Sequence, residues 1–211
     1  MIAEQIAYYR QRTPEYDQTA YDLSAANLDR IESIVAGLPS VEPALEIACG
    51  TGIWTAQFAR RIRDLTAVDA SPESLALAKQ RCPAHVRFIC TDVLRWLPHR
   101  RYELIFFAAW LSHVPDDHFD AFFAALRSHL APGGRVAFVD EHVSLQPKER
   151  PTADPGIVLR ELSNGSEYRI VKIFVDPPRL TNRLRALGWT AEMTVDEGGW
   201  VIGCARPEGE M

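Results

Sequence analysis

Cysteine is scarce in this chain of 211 residues, with four in all (Cys49, Cys82, Cys90 and Cys204) and no CxxC pair. That spacing suits neither a disulfide scaffold nor a zinc site, so no metal is expected and the thiols should stay reduced in a cytoplasmic compartment. No run reaches the roughly 18 apolar residues that a membrane span requires. The start, Met1-Ile2-Ala3-Glu4-Gln5, has no basic region followed by an apolar stretch, so no membrane partner is expected. Positive charge is not in excess either. The 23 Lys and Arg against 28 Asp and Glu leave a net charge of -5, which disfavours wrapping nucleic acid and makes a small-molecule partner the simpler expectation. What the chain does have is 47% hydrophobic residues, enough for the core of one large domain.

Hydrophobic spacing predicts helices over residues 2–12 and about 20–38, the second with Leu28, Ile31, Ile34, Val35 and Leu38 on one face and Gly37 and Pro39 at its end. From residue 41 onward, short β-rich runs alternate with helical ones. Strands are predicted at 44–48, 65–69, 86–90, 103–108 and 136–140, with helices at 54–62, 72–81 and 116–130 and a turn at 131–134. Continuous apolar strands separated by helices indicate a parallel sheet covered on both faces. The tail differs, because residues 157–163 and 168–175 form a predicted hairpin around Asn164-Gly165. A helix at 177–187 and two antiparallel strands at 189–195 and 200–205 close the chain. The whole length, 1–211, is expected to be one domain: residues 1–39 a helical lid, 40–140 a ligand-binding core, 141–176 a loop and hairpin insertion, and 177–211 the last helix and strand pair.

In an open α/β sheet, ligands bind beyond the carboxyl ends of the strands, at the point where the topology switches. The residues just after each predicted strand are therefore the informative ones. After the first comes Gly50-Thr51-Gly52, where two glycines let the backbone approach a ligand closely. The second ends at Asp69, able to accept hydrogen bonds from both hydroxyls of a ribose, and Asp92 follows the third as an acceptor for an adenine amine. A dinucleotide fingerprint would place a third glycine at position 55, which is Thr55. Glu46 before the glycines also makes a poor neighbour for pyrophosphate and a good one for a cation. A nicotinamide-dependent oxidoreductase thus ranks third among the functions considered.

Across residues 40–140 the chain resembles the class I S-adenosylmethionine-dependent methyltransferases, in particular the small-molecule type. Ala44-Leu45-Glu46-Ile47-Ala48-Cys49-Gly50-Thr51-Gly52 is similar to the family's first motif. Val68-Asp69-Ala70-Ser71 is similar to the ribose-binding strand end, and Cys90-Thr91-Asp92-Val93 to the turn beside adenine. Residues 102–113 resemble the strand and loop facing the substrate, and Leu130-Ala131-Pro132-Gly133-Gly134 the turn before the fifth strand. The resemblance implies a Rossmann-like α/β fold whose seven-stranded, mostly parallel sheet has an antiparallel last strand. Helices would cover both faces, with an N-terminal helical lid and a β-hairpin insertion between strands five and six. It implies S-adenosyl-L-methionine as cofactor, with S-adenosyl-L-homocysteine as product, and Tyr16, Glu46, Ala48, Gly50, Gly52, Asp69, Ala70, Asp92, Val93 and Ala108 as its binding residues. Ala48 stands where the family commonly has a glycine, a substitution expected to be harmless if its φ is negative.

Methyl transfer is an in-line displacement at an already activated carbon, so positioning and exclusion of water matter more than a base. Where the acceptor does need one, His113 is the candidate, and Trp110, His113, Glu141 and His142 are the expected substrate-binding residues. The alternatives are a regulatory protein that binds the cofactor without catalysis, and an RNA or protein methyltransferase. The acidic balance and the lack of an Asn/Asp-Pro-Pro-aromatic tetrad after the fourth strand disfavour the latter. The hairpin is expected either to cover the substrate or to pair two copies as a homodimer.

Overall fold

A computed structural model describes residues 2–20, 23–95 and 98–209. The chain begins with two helices, α1 (Ile2–Ala20) and α2 (Ala25–Gly37). It then alternates through β1 (Ala44–Ile47), α3 (Ile53–Phe58), β2 (Leu65–Asp69), α4 (Pro72–Arg81), β3 (Arg87–Cys90), β4 (Tyr102–Ala108), α5 (Phe119–His129) and β5 (Leu130–Glu141). A hairpin, β6 (Ile157–Glu161) and β7 (Glu167–Val171), precedes α6 (Pro177–Ala186), β8 (Trp189–Val195) and β9 (Trp200–Pro207).

Seven strands form one sheet in the order β3-β2-β1-β4-β5-β9-β8. The first five are parallel, and β9 enters antiparallel between β5 and β8. All four residues of β1 are buried, as expected for a central strand covered on both faces. One layer of core packs Phe107, Phe122, Phe123, Phe138 and Trp189 against one face; the other packs Ile31, Trp54, Phe58 and Phe106. Because the chain moves outward from β1 through β2 to β3 and then returns to β4 on the other side, the switch point lies beyond the ends of β1 and β4. Among the described residues no helix is long and apolar enough to cross a membrane.

Several boundaries differ from the sequence-based expectations. α1 runs through Pro14 to Ala20 instead of ending near residue 12. Pro14 lacks an N–H and so leaves the Arg10 carbonyl without its helical donor, but packing of the helix on α4 and β7 outweighs that local penalty. The second helix starts at Ala25, N-capped by Ser24; residues 21 and 22 of the expected span lie outside the described residues. The anticipated turn at 131–134 is instead part of β5. Tyr102 pairs with Leu130 and Leu104 with Arg135, so the glycine-bearing segment bulges out of the ladder. The hairpin forms around the Asn164-Gly165 turn as expected, with Gly165 at φ +82. Its inner face packs Val158, Leu162 and Ile170 on Tyr8 of α1, so helix and hairpin form one cover above the switch point.

Candidate active site

The turn after β1 is shaped by three left-handed residues at alternate positions: Ala48 (φ +52), Gly50 (φ +55) and Gly52 (φ +81). Ala48 overturns the expectation of a negative φ. A residue with a Cβ in this region carries strain of about 1–2 kcal/mol, concentrated here in a ligand loop. The two glycines serve different ends. A Cβ on Gly50 would meet nothing within 4 Å, leaving its backbone open to the cavity above. One on Gly52 would come to 2.9 Å from the Ala78 Cβ, so Gly52 lets α3 start against α4 and does not line the cavity.

Asp69 closes the turn from the neighbouring strand. Its Oδ2 accepts from the Gly50 N–H at 2.8 Å and its Oδ1 from the Ser71 N–H at 2.8 Å. Burial pushes its pKa above the usual carboxylate value, although these backbone donors work in the opposite direction. Asp92, one strand further out, accepts from the Leu94 N–H at 3.1 Å.

Above these residues lies a cavity of about 90 Å³ that opens to solvent. Of the cofactor candidates, Tyr16, Ala48, Gly50, Asp69, Ala70, Asp92, Val93 and Ala108 line it, as do Trp110 and His113 from the substrate set. Glu46 does not. It lies beneath the turn, 2% exposed, with Oε2 unpartnered among the described residues and burial raising its pKa to about 8. Two acceptor carboxylates, an open Gly50 backbone and an apolar wall at Val93 and Trp110 suit a nucleoside joined to a small polar chain, and so fit S-adenosylmethionine.

A second cavity, about 240 Å³, adjoins the first, and the two share Tyr9, Tyr16, Ala108, Ala109 and His113. Glu141 lines the second cavity, but His142 faces neither; its ring accepts from the Ser144 N–H at 3.2 Å and starts the 3-10 turn Val143–Lys148. At the junction, His113 Nδ1 lies 2.6 Å from the Val171 carbonyl, which can only accept, so that nitrogen carries the proton. Nε2 lies 2.8 Å from the Tyr9 hydroxyl and accepts its proton in the neutral ring. Burial, and then the Lys172 charge, hold the His113 pKa well below the usual imidazole value.

The cover is tied down at both ends. Asp17 accepts from Thr51 in the glycine turn and from Arg81 of α4, each at 2.5 Å. Arg10 grips Glu73 through two nitrogens, at 3.0 and 2.7 Å. On the other side, Gln5 donates to the His113 carbonyl and accepts from the Val171 N–H, both at 3.1 Å. Sequence patterns did not single out Gln5, Arg12, Arg160 or Lys172. They come from α1 and the hairpin region, which meet only in the folded chain.

A family model described as a methyltransferase domain matches residues 44–134. DhpI, solved in complex with SAH, is similar over nearly its whole length: 36% identity, 99% of this chain and 98% of that one, with a TM-score of 0.87. The chain belongs to the class I S-adenosylmethionine-dependent methyltransferases. DhpI in its SAM–HEP complex superposes with a TM-score of 0.83, again at 36% identity and with 98% of both chains covered. Curated relatives in this methyltransferase family include malonyl-[acyl-carrier protein] O-methyltransferase 1 of Ilyobacter polytropus, 32% identical over 52% of this chain and 42% of its own length. Another is trans-aconitate 2-methyltransferase of Escherichia coli, 34% identical over 47% of this chain and 39% of its own length. The chain thus spans about two fifths of the length of these curated relatives.

Proposed function

We propose that this chain transfers the methyl group of S-adenosylmethionine to a small-molecule acceptor. The observation that carries the proposal is the sharing of Tyr9, Tyr16, Ala108, Ala109 and His113 between two adjoining cavities. A cofactor held in the first can present its reactive end to a molecule held in the second. When bound, the cofactor supplies a methyl group activated by positively charged sulfur.

The chain's own residues orient and enclose the reactants. Asp69 takes the ribose hydroxyls, Asp92 the adenine amine, and Tyr16 faces the methionine end. α1 and the hairpin exclude water from the junction, which is where near-attack geometry has most effect on rate. His113 acts as a positioning residue. With both ring nitrogens engaged, it fixes the Tyr9 hydroxyl at the cavity junction and does not meet the acceptor as a free base. The malonyl and trans-aconitate relatives act on acyl-carrier-bound and free small acids by name, consistent with a small acceptor here. The four free thiols suit a reducing cytoplasm.

Titration calorimetry with S-adenosylmethionine, S-adenosylhomocysteine and NADH tests the cofactor assignment. One site for each of the first two and none for NADH is expected. Binding of NADH alone would overturn the assignment.

A further inference from the structure

The second cavity is lined by four cations, Arg12, Lys148, Arg160 and Lys172, and three of them differ in how their charge is met. Arg160 is paired on Glu149, with Nε 2.9 Å from one carboxylate oxygen and a terminal nitrogen on the other. Both of these side chains are largely buried, so the pair is a fixed part of the wall. Lys172 is buried; its ammonium donates to Ser112 Oγ at 3.0 Å and pairs with Glu141. That second pair is unequal, since the Lys172 side chain is 3% exposed and that of Glu141 is 35% exposed. The cation is held in place while its carboxylate partner has a way out to water.

Arg12 has no carboxylate partner among the described residues. It is 9% exposed, and one hydrogen bond, from Nη2 to Thr19 Oγ1 at 3.0 Å, satisfies one of its five donors. Its guanidinium carbon lies 5.7 Å from the Tyr8 ring centre and 5.1 Å from that of Tyr16. A buried guanidinium with no carboxylate partner among the described residues is costly to the fold, and Arg12 lines the cavity. The charges of Lys172, Arg160 and Arg12 all disfavour protonation of His113, so the three converge on the junction of the two cavities.

We propose that the methyl acceptor carries an oxyanion, a carboxylate or a phosphoryl group, which seats on Arg12 and displaces Glu141 from Lys172. The proposal rests on reading the second cavity as the acceptor site. Planar guanidinium donors match either oxyanion in a two-point fashion, and the ammonium adds a third contact. Two carboxylates of the cavity act on Lys172: Asp140 is buried and held by the Ser112 and Glu141 N–H groups, so the more exposed Glu141 is the one that competes with the acceptor.

Malonate, trans-aconitate and inorganic phosphate, titrated into enzyme saturated with S-adenosylhomocysteine, serve as probes. At least one should bind at millimolar concentration, and which one does assigns the oxyanion as carboxylate or phosphoryl. Arg12→Gln should weaken that probe about tenfold or more while leaving S-adenosylhomocysteine affinity within about twofold. Glu141→Gln should do the reverse and tighten the probe severalfold, a gain that a purely structural carboxylate would not give. The proposal is overturned if no probe binds the saturated enzyme, if malonamide binds as well as malonate, or if both variants leave probe affinity unchanged. Loss of S-adenosylhomocysteine binding in Arg12→Gln would assign the guanidinium to the cofactor's own carboxylate and also overturn it. Failure of the wild-type protein to bind S-adenosylhomocysteine would instead refute the underlying cofactor assignment.

Discussion

The Tyr9 hydroxyl meets His113 Nε2 at 2.8 Å, joining the first helix of the chain to the loop after the fourth strand across 104 residues of sequence. The other ring nitrogen is committed to the Val171 carbonyl, so both protonation and orientation of the imidazole are set by its neighbours. In this state His113 is neutral at physiological pH.

Nitrogen-15 NMR should accordingly find His113 in the Nδ1–H form with no titration near 6.5, the ordinary imidazole value. The sign of the stability effect follows. Below pH 6.5 the unfolded chain takes a proton at this position and the folded one does not, so stability falls as the pH drops, by up to about 1.4 kcal/mol per unit. His113→Gln should flatten that part of the pH–stability curve. A normal titration in the folded protein would contradict the hydrogen-bond assignment.

Glu46 gives the opposite dependence. With its pKa raised to about 8 by burial, the folded state keeps a proton that the unfolded state loses near 4.5. Its contribution is fully present below pH 4.5 and is lost as the pH rises through 8. Thermal melts of the cofactor-free protein should show Glu46→Gln gaining stability over wild type between pH 7 and pH 9, with little difference at pH 4.5. Equal melting curves at all pH values would show that Glu46 is not held in its acid form.

Asp69 fixes the glycine turn and lines the cofactor cavity at once. Asp69→Ala removes both functions and should weaken S-adenosylhomocysteine binding by about 2–4 kcal/mol, roughly 30-fold to 1000-fold, read by calorimetry. Unchanged affinity would refute the ribose assignment.

Ala48 holds a φ of +52 where glycine is strain-free. Ala48→Gly should raise the stability of the cofactor-free protein by about 1 kcal/mol in urea denaturation, the relief of left-handed strain exceeding the added entropy of the unfolded chain. A loss of stability would mean that the alanine methyl makes packing contacts worth more than the strain.

Much of this architecture is legible in the sequence because it rests on local signals. The buried strands β1, β2 and β4 announce themselves as apolar runs. Ser71-Pro72 fixes the start of α4, and the acids at 69 and 92 fall at the end of one strand and just beyond the next, where topology sends them to one edge. The misplaced boundaries have a common cause. Pro14 and the Pro132-Gly133-Gly134 turn signal breaks, and each is overridden by packing of distant segments, on α4 and β7 in one case and along the β4–β5 ladder in the other. The second cavity is the least visible. Arg12, Arg160 and Lys172 carry no pattern in the sequence, and a charged residue reads as surface until the fold buries it. Gly52 and His142 matched motif or position and yet point elsewhere, because spacing along the chain does not say which way a turn opens.

Incubation with methyl-labelled S-adenosylmethionine and cell extract, followed by separation of label by molecular size, tests the central claim most directly. Label in the low-mass fraction, formed by wild type with matching release of S-adenosylhomocysteine and lost in Asp69→Ala, is the expected result. Label confined to RNA or protein, or cofactor bound without any transfer, would contradict it.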